Sequence, residues 1–275
     1  MFAKSLTSFL LLFSLGFVSV PVGYAQVGST AAAPAVSYAS ALAEIESKTD
    51  ARRKELGIPG MSLAIIKDDQ VMFLKGLGYK DFENKVAVTP DTQFAIGSAT
   101  KAFTALSVLM AMDEGKLSLD DSPKKFLPYF KMYDPETDKN IQIRDLLSHS
   151  SGLNRTDLAM ITGKLNRAEL IQVAAQAKPT AKLREKFQYQ NIMFTAAGEI
   201  VATVEKTPWE KFVPERIFDP LGMTNSTMSM KQMAKVKDYS FGYSYNFDTK
   251  ATEKLPFRDI DQVAPAGSIN SSARD

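Results

Sequence analysis

From Tyr38 to Leu56, the residues Leu42, Ile45 and, less cleanly, Ala51 stand at helical spacing among charges, which predicts an amphipathic helix. Gly57-Ile58-Pro59-Gly60 stops it. An apolar β-type run follows over Met61–Ile66, then the polar turn Lys67-Asp68-Asp69-Gln70, then a second run over Val71–Leu74. Two such runs around a short polar turn predict a hairpin. From Thr92 to about Pro265 the period is mainly helical, punctuated by Gly and Pro. Helices are predicted over Ala102–Met112, closed by Glu114-Gly115, and over Arg167–Gln176, Thr195–Glu205 and Trp209–Phe218. A helix, a hairpin and then a long helical block predict an α+β fold with a mainly helical subdomain.

The two ends carry different patterns. Lys4 precedes a mostly apolar run over Phe9–Val20, too short for a membrane span, and Gly23-Tyr24-Ala25 offers small residues for cleavage. That is the arrangement of a secretory signal peptide, expected over residues 1–25 and removed after Ala25. The expectation is therefore a periplasmic or secreted protein with no stable membrane span once the signal is gone. Ala-rich residues 26–37 read as a flexible leader, leaving residues 38–275 as the folded domain. At the other end, Ser272 with Asp275 three positions later has the form of a helix start, yet no helix follows. A lone hairpin is also marginal, with two open edges. One reading is a polar tail. The other, preferred on the hairpin argument, is a chain lacking C-terminal strands of its fold.

Composition narrows the chemistry. The formal net charge is +2 and no basic stripe is evident, which argues against nucleic acid as a partner. There is no cysteine, so disulfides and thiol nucleophiles are excluded. The sole histidine, His149, makes a protein-ligated zinc improbable and leaves a Ser-His-Asp hydrolase resting on that one residue. No metal or organic cofactor is implied, and nothing in the sequence assigns an oligomeric state.

Phe94-Ala95-Ile96-Gly97-Ser98-Ala99-Thr100-Lys101 carries the candidate chemistry. Ser98 opens a helix that is apolar on nearly every side and so is expected to be central and buried. Lys101 is the only charged residue between Asp91 and Asp113 and stands three positions after Ser98, on the same face. A lysine in the first turn of a buried helix opposes the helix dipole and loses hydration. Both effects favour a neutral amine able to take a proton from a serine hydroxyl. Gly97 is expected to clear room for close backbone approach. The spacing alone is weak, since Ser122-Pro123-Lys124-Lys125 repeats it where Ser122 reads as a surface N-cap. For Ser98 too, an N-cap serine with a snorkelling lysine is the competing reading.

Gly97-Ser98-Ala99-Thr100-Lys101 ahead of an apolar helix resembles the active-site helix of the serine β-lactamase and penicillin-binding-protein superfamily. It is similar in particular to that helix in class C β-lactamases and their D-Ala-D-Ala carboxypeptidase and esterase relatives. Further segments agree in order: Leu146-Leu147-Ser148-His149-Ser150-Ser151-Gly152-Leu153, then Phe187-Gln188-Tyr189-Gln190-Asn191. Pro220-Leu221-Gly222-Met223 and Ala264-Pro265-Ala266-Gly267-Ser268 follow. The resemblance implies an antiparallel sheet flanked by helices, with Ser98 as nucleophile and Lys101 and Tyr189 sharing proton transfer. It also implies that Asn191 holds a substrate acylamide and that His149 sits in a structural turn. Of the tyrosines only Tyr189 is followed two positions later by asparagine.

The resemblance implies a small-molecule or peptidoglycan-peptide substrate: a β-lactam, a D-Ala-D-Ala peptide or a small ester. The alternative it leaves is a non-hydrolytic penicillin-binding or sensor protein that keeps the fold. Ser244-Tyr245-Asn246 and Ser268-Ile269-Asn270 echo another motif of such enzymes but come too late after Ser98, and both are expected in loops. One departure is plain: no Lys-Thr-Gly or His-x-Gly follows Tyr189. In relatives that motif lies on a β-strand lining the pocket, and the strand supplies one of two oxyanion-hole donors, each worth on the order of 10²–10³ in rate.

Overall fold

The structure, a computed structural model, describes residues 37–275 with Thr162 excepted. The expected signal segment and nearly all of the expected leader lie outside these residues. Helix α1 (Ala39–Glu55) ends where Gly57 turns to φ +65°. Arg53, buried at its end, donates to the carbonyls of Ile58 and Pro59 at 2.8 and 2.9 Å. Strands β1 (Gly60–Lys67) and β2 (Gln70–Asp81) form the predicted hairpin around Asp68 and Asp69, both at positive φ. Such a two-residue turn suits the right-handed twist of paired strands. β2 runs past its predicted end at Leu74, because Lys75–Asp81 mixes glycine and charge and hides the strand period. β3 (Val86–Ala87) adds to it, giving an antiparallel order β1-β2-β3.

Two further strand pairs were not predicted. β4 (Phe94–Ala95), just before Ser98, pairs with residues near the end of the sequence. β5 (Gly242–Asn246) pairs with β6 (Ala251–Leu255), so Ser244-Tyr245-Asn246 lies on a strand and not in a loop. β7 (Asn270–Ser271) is the partner of β4, so of Ser268-Ile269-Asn270 only Asn270 lies on a strand, while Ser268 and Ile269 are in the expected loop and all three are buried. Residues 41–275 pack as one unit of mixed α and β structure.

The helices form the block that the Gly and Pro punctuation suggested. In chain order they are α2 (Thr100–Asp113), α3 (Pro135–Asn140), α4 (Ile143–Leu147), α5 (Leu158–Ile161), α6 (Arg167–Ala175) and α7 (Asn191–Glu205). After them come α8 (Trp209–Val213), α9 (Asp219–Leu221), α10 (Met230–Met233) and α11 (Ala264–Gly267). Between α8 and α9 the chain stays helical but widens to a π turn over Pro214–Phe218. Pro214 has no N–H to donate to the preceding turn, which accounts for the loosened winding there. Among the described residues no helix is long and apolar enough to cross a membrane.

The central helix is α7. Every residue from Ile192 to Gly198 is buried, as are Ile200 and Val201, and α2, α4, α6, α8 and α11 pack around it. The helix after Ser98 differs from its expectation: Leu106 and Leu109 of α2 are 42% and 39% exposed. Its buried stripe is instead largely polar, with Thr100, Lys101, Thr104 and Ser107 beside Val108 and Ala111.

Candidate active site

Polar groups inside a helical core need partners. The stripe on α2 finds them in backbone. Thr104 donates to the carbonyl of Pro265 at 2.6 Å, and Lys101 Nζ to that of Ala266 at 2.6 Å. The Ile269 N–H donates to Thr100 Oγ1 at 3.1 Å. The Ile96 N–H adds a bond to the Ile269 carbonyl at 3.0 Å, continuing the β4–β7 pair. Residues 265–269 are thereby zipped along the start of α2.

Ser98 sits at the mouth of this arrangement, in a single 3-10 turn (Gly97–Ala99) that leads into α2, and is itself exposed. Gly97 holds φ +50°, and a Cβ built there would meet nothing within 4 Å. Its glycine therefore serves the left-handed backbone of the turn, and not the close approach expected from sequence. Ser122, in the competing Ser-x-x-Lys segment, stands ahead of a 3-10 turn where Lys124 and Lys125 pair with Asp138 and Asp121.

The structure brings all four sequence-predicted residues together. Lys101 Nζ lies 3.3 Å from Ser98 Oγ and 2.8 Å from Asn191 Oδ1. The Tyr189 hydroxyl donates to Ser98 Oγ at 2.5 Å. Lys101 is 7% exposed, and its ammonium faces the rings of Tyr189 and Phe194 at 4.8 and 5.5 Å from their centroids. Burial holds the Lys101 amine below its usual value, although the Tyr189 hydroxyl and the Asp157 carboxylate oppose that shift. For Tyr189 burial acts against ionisation, but the hydrogen bonds it shares with Lys101 and Ser98 and the charges of Lys101 and Arg155 outweigh it, leaving the phenol below its ordinary value. A depressed amine and a depressed phenol around one hydroxyl are suited to receiving its proton.

His149 is not bonded to Ser98. Its ring stacks on Tyr189 at 4.4 Å and meets Phe194 and Phe187 at 5.0 and 5.1 Å, while Nδ1 accepts the Gln190 N–H at 3.0 Å. Burial and then the Lys101 cation hold its pKa below the ordinary imidazole value, so at neutral pH it is an uncharged ring behind Tyr189. The backbone there is left-handed, φ +57°, a conformation that costs a non-glycine residue about 1–2 kcal/mol. The turn is tied down by Gln190, whose side chain caps α7 through Ile192 N–H and also bonds Thr156 Oγ1 and the Asn154 carbonyl.

Sequence reasoning missed three participants: the Ala266 carbonyl, Arg155 and Asp157. Asn191 Nδ2 donates to Asp157 Oδ1 at 2.9 Å, and Arg155 pairs with Asp157 Oδ2 while lying 5.3 Å over the Tyr189 ring. The charged pair Arg155-Thr156-Asp157 directly after the His149 segment was the available signal.

One contact links packing to this geometry. A Cβ on Gly198, in the middle of α7, would fall 2.3 and 2.5 Å from Pro265 Cγ and Cβ. Gly198→Ala is expected to destabilise the protein by roughly 1–3 kcal/mol through overpacking. It should also weaken any Lys101-dependent reaction, since moving α11 moves the Ala266 carbonyl. Unchanged melting and unchanged Ser98 reactivity together would remove this link.

A family model described as Beta-lactamase matches residues 45–275. Protein flp of Staphylococcus aureus (strain NCTC 8325 / PS 47) is 33% identical over 221 residues, covering 79% of this chain and 44% of that protein. Unguisins hydrolase ungD' of Aspergillus campestris (strain IBT 28561) is 31% identical over 228 residues, covering 79% of this chain and 42% of that one. The chain thus spans less than half the length of these curated relatives. Among solved structures, the octameric penicillin-binding protein homologue from Pyrococcus abyssi is 31% identical with a TM-score of 0.76, covering 85% of this chain and 54% of that one.

Proposed function

The chain belongs to the Beta-lactamase family, and on that premise we propose that it is a serine hydrolase working through a covalent acyl-Ser98 intermediate. The observation that carries this reading is the Ser98 hydroxyl lying 2.5 Å from the Tyr189 phenol and 3.3 Å from the Lys101 amine. In the proposed reaction Ser98 Oγ attacks an amide or ester carbonyl as its proton passes to the Lys101–Tyr189 pair. The tetrahedral adduct collapses, the C–N or C–O bond breaks, and the leaving group takes that proton. Water, giving a proton to the same pair, then attacks the acyl carbon, and Ser98 leaves with its hydroxyl restored. Asn191, with one of its two amide hydrogens on Asp157, has the other for a substrate carbonyl oxygen. The substrate classes proposed are β-lactams, D-Ala-D-Ala peptides and small esters, met outside the cytoplasm.

The test is incubation of the purified protein with a fluorescent penicillin and, separately, with p-nitrophenyl esters, beside Ser98→Ala. A covalent adduct mapped to the Ser98 peptide and absent from the variant is the expected result. A band that decays marks a hydrolase, whereas a band that persists marks an acylated binding protein. Ester cleavage dependent on Ser98 without a penicillin adduct would assign an esterase. Silence in both assays from a folded protein sinks the reading.

A further inference from the structure

Asn191 receives two different demands. Lys101 Nζ approaches it as a donor at 2.8 Å, so an oxygen must face that way. Nothing in an isolated asparagine enforces this, because its amide can turn over and present NH₂ to the lysine instead. Asp157 removes the choice. Its carboxylate only accepts, and it takes the Asn191 NH₂ at 2.9 Å through Oδ1. Asp157 is in turn held at Oδ2 by Arg155, with Nε at 2.8 Å and the second guanidinium nitrogen at 2.6 Å. Thr156, between them, bonds Gln190, so the segment is anchored to the start of α7 from the same side.

The chain of contacts closes on itself. From Ser98 it runs through Lys101, Asn191, Asp157 and Arg155, whose guanidinium lies 5.3 Å over the ring of Tyr189, and Tyr189 returns to Ser98. We propose that Asp157, held by Arg155, is a positioning residue for this site, fixing the Asn191 amide with its oxygen toward Lys101. The inference rests on the acyl-transfer reading above and deepens it.

A second consequence follows from charge. Beyond Ser98, Asn191 and Phe194, the titratable or charged groups against the Lys101–Tyr189 pair are His149, Arg155 and Asp157. His149 is held below the ordinary imidazole value by burial and then by the Lys101 cation. The Asp157 carboxylate helps the pair keep its proton; the Arg155 guanidinium helps it lose that proton. Removing the negative charge moves the acidic limb of the acylation profile to lower pH. Removing the positive charge moves it to higher pH. A purely structural lesion would not give opposite signs.

The experiment measures Ser98 acylation, with a fluorescent penicillin or a p-nitrophenyl ester, whichever modifies the wild-type protein. The variants are Asp157→Asn, Arg155→Met, Asn191→Ala and the Asp157→Asn/Asn191→Ala double. Asp157→Asn is expected to slow acylation about tenfold or more, as loss of orientation does. In the Asn191→Ala background the same change should matter less than about twofold, because a residue acting through Asn191 has nothing left to act on. The two single variants at 155 and 157 should move the acidic limb in opposite directions. A loss that persists in the Asn191→Ala background, or limbs that stay still or move together, overturns the positioning role while leaving acyl transfer standing. A wild-type protein never modified at Ser98 overturns the acyl-transfer reading and this inference with it. Should Asp157→Asn fail to fold, Arg155→Met, on a mostly exposed side chain, still decides: an unmoved limb overturns the inference.

Discussion

Replacing Lys101 with methionine is expected to slow acylation at Ser98 by about 10²–10⁴-fold, the range for loss of a positioned acid–base group. The amine touches Ser98 Oγ, Asn191 Oδ1 and the Ala266 carbonyl, and no other described side chain offers an amine there. Methionine keeps much of the stem against the rings of Tyr189 and Phe194. It relieves the burial of a charge-bearing group but leaves the Asn191 and Ala266 oxygens without their donor. These two effects oppose each other, so the melting temperature should stay close to that of the wild type. Stopped-flow or gel-based acylation beside a thermal melt separates the outcomes. A Lys101→Met protein that acylates within tenfold of the wild type would assign proton transfer to Tyr189 alone. A protein that unfolds would instead make Lys101 a structural tie between α2 and residues 265–269.

The largest expected loss of stability is at Trp209. It is fully buried at the start of α8, close to the point where Gly198 admits Pro265. Truncation to alanine leaves a cavity the helices cannot fill and is expected to cost about 3–5 kcal/mol. Its indole N–H has no hydrogen-bond partner among the described residues. Trp209→Phe therefore forfeits volume and no bond, and should cost clearly less. Urea midpoints of the two variants test this. Equal losses from both would mean that the indole N–H makes a contact after all.

The parts of the fold legible in the sequence were those with period or punctuation. The first helix and the β1–β2 hairpin were read from apolar spacing, and their turn from two adjacent aspartates. The helical period of α7 shows only from Thr195, four residues inside the helix, because Gln190 caps it through a side chain that is an uncommon cap. β4 and β7 are two residues each, too short to carry any alternation. β5 does alternate, with Tyr243 and Tyr245 on one face, but its Ser-x-Asn pattern also has the form of a loop motif.

At the site, Ser98, Lys101, Tyr189 and Asn191 were legible because side chains that do chemistry have letters. The Ala266 oxygen was not, since a backbone carbonyl looks the same at every residue. α2 misled for a related reason: its apolar run suggested full burial. The face turned inward carries Thr100, Lys101 and Thr104, whose partners are those same anonymous carbonyls. Arg155 and Asp157 read as an ordinary charged loop until Gln190 fixed where that loop stands.

The site draws on residues near 100, 150, 190 and 266, and the Lys101–Ala266 bond alone spans 165 positions of sequence. No local segment can activate Ser98 by itself, so an unfolded chain carries only an ordinary, unreactive serine. Covalent modification of Ser98 would thus be a clock for refolding: a pulse of reagent during renaturation counts molecules in which α2, α7 and the 265–269 segment have already met.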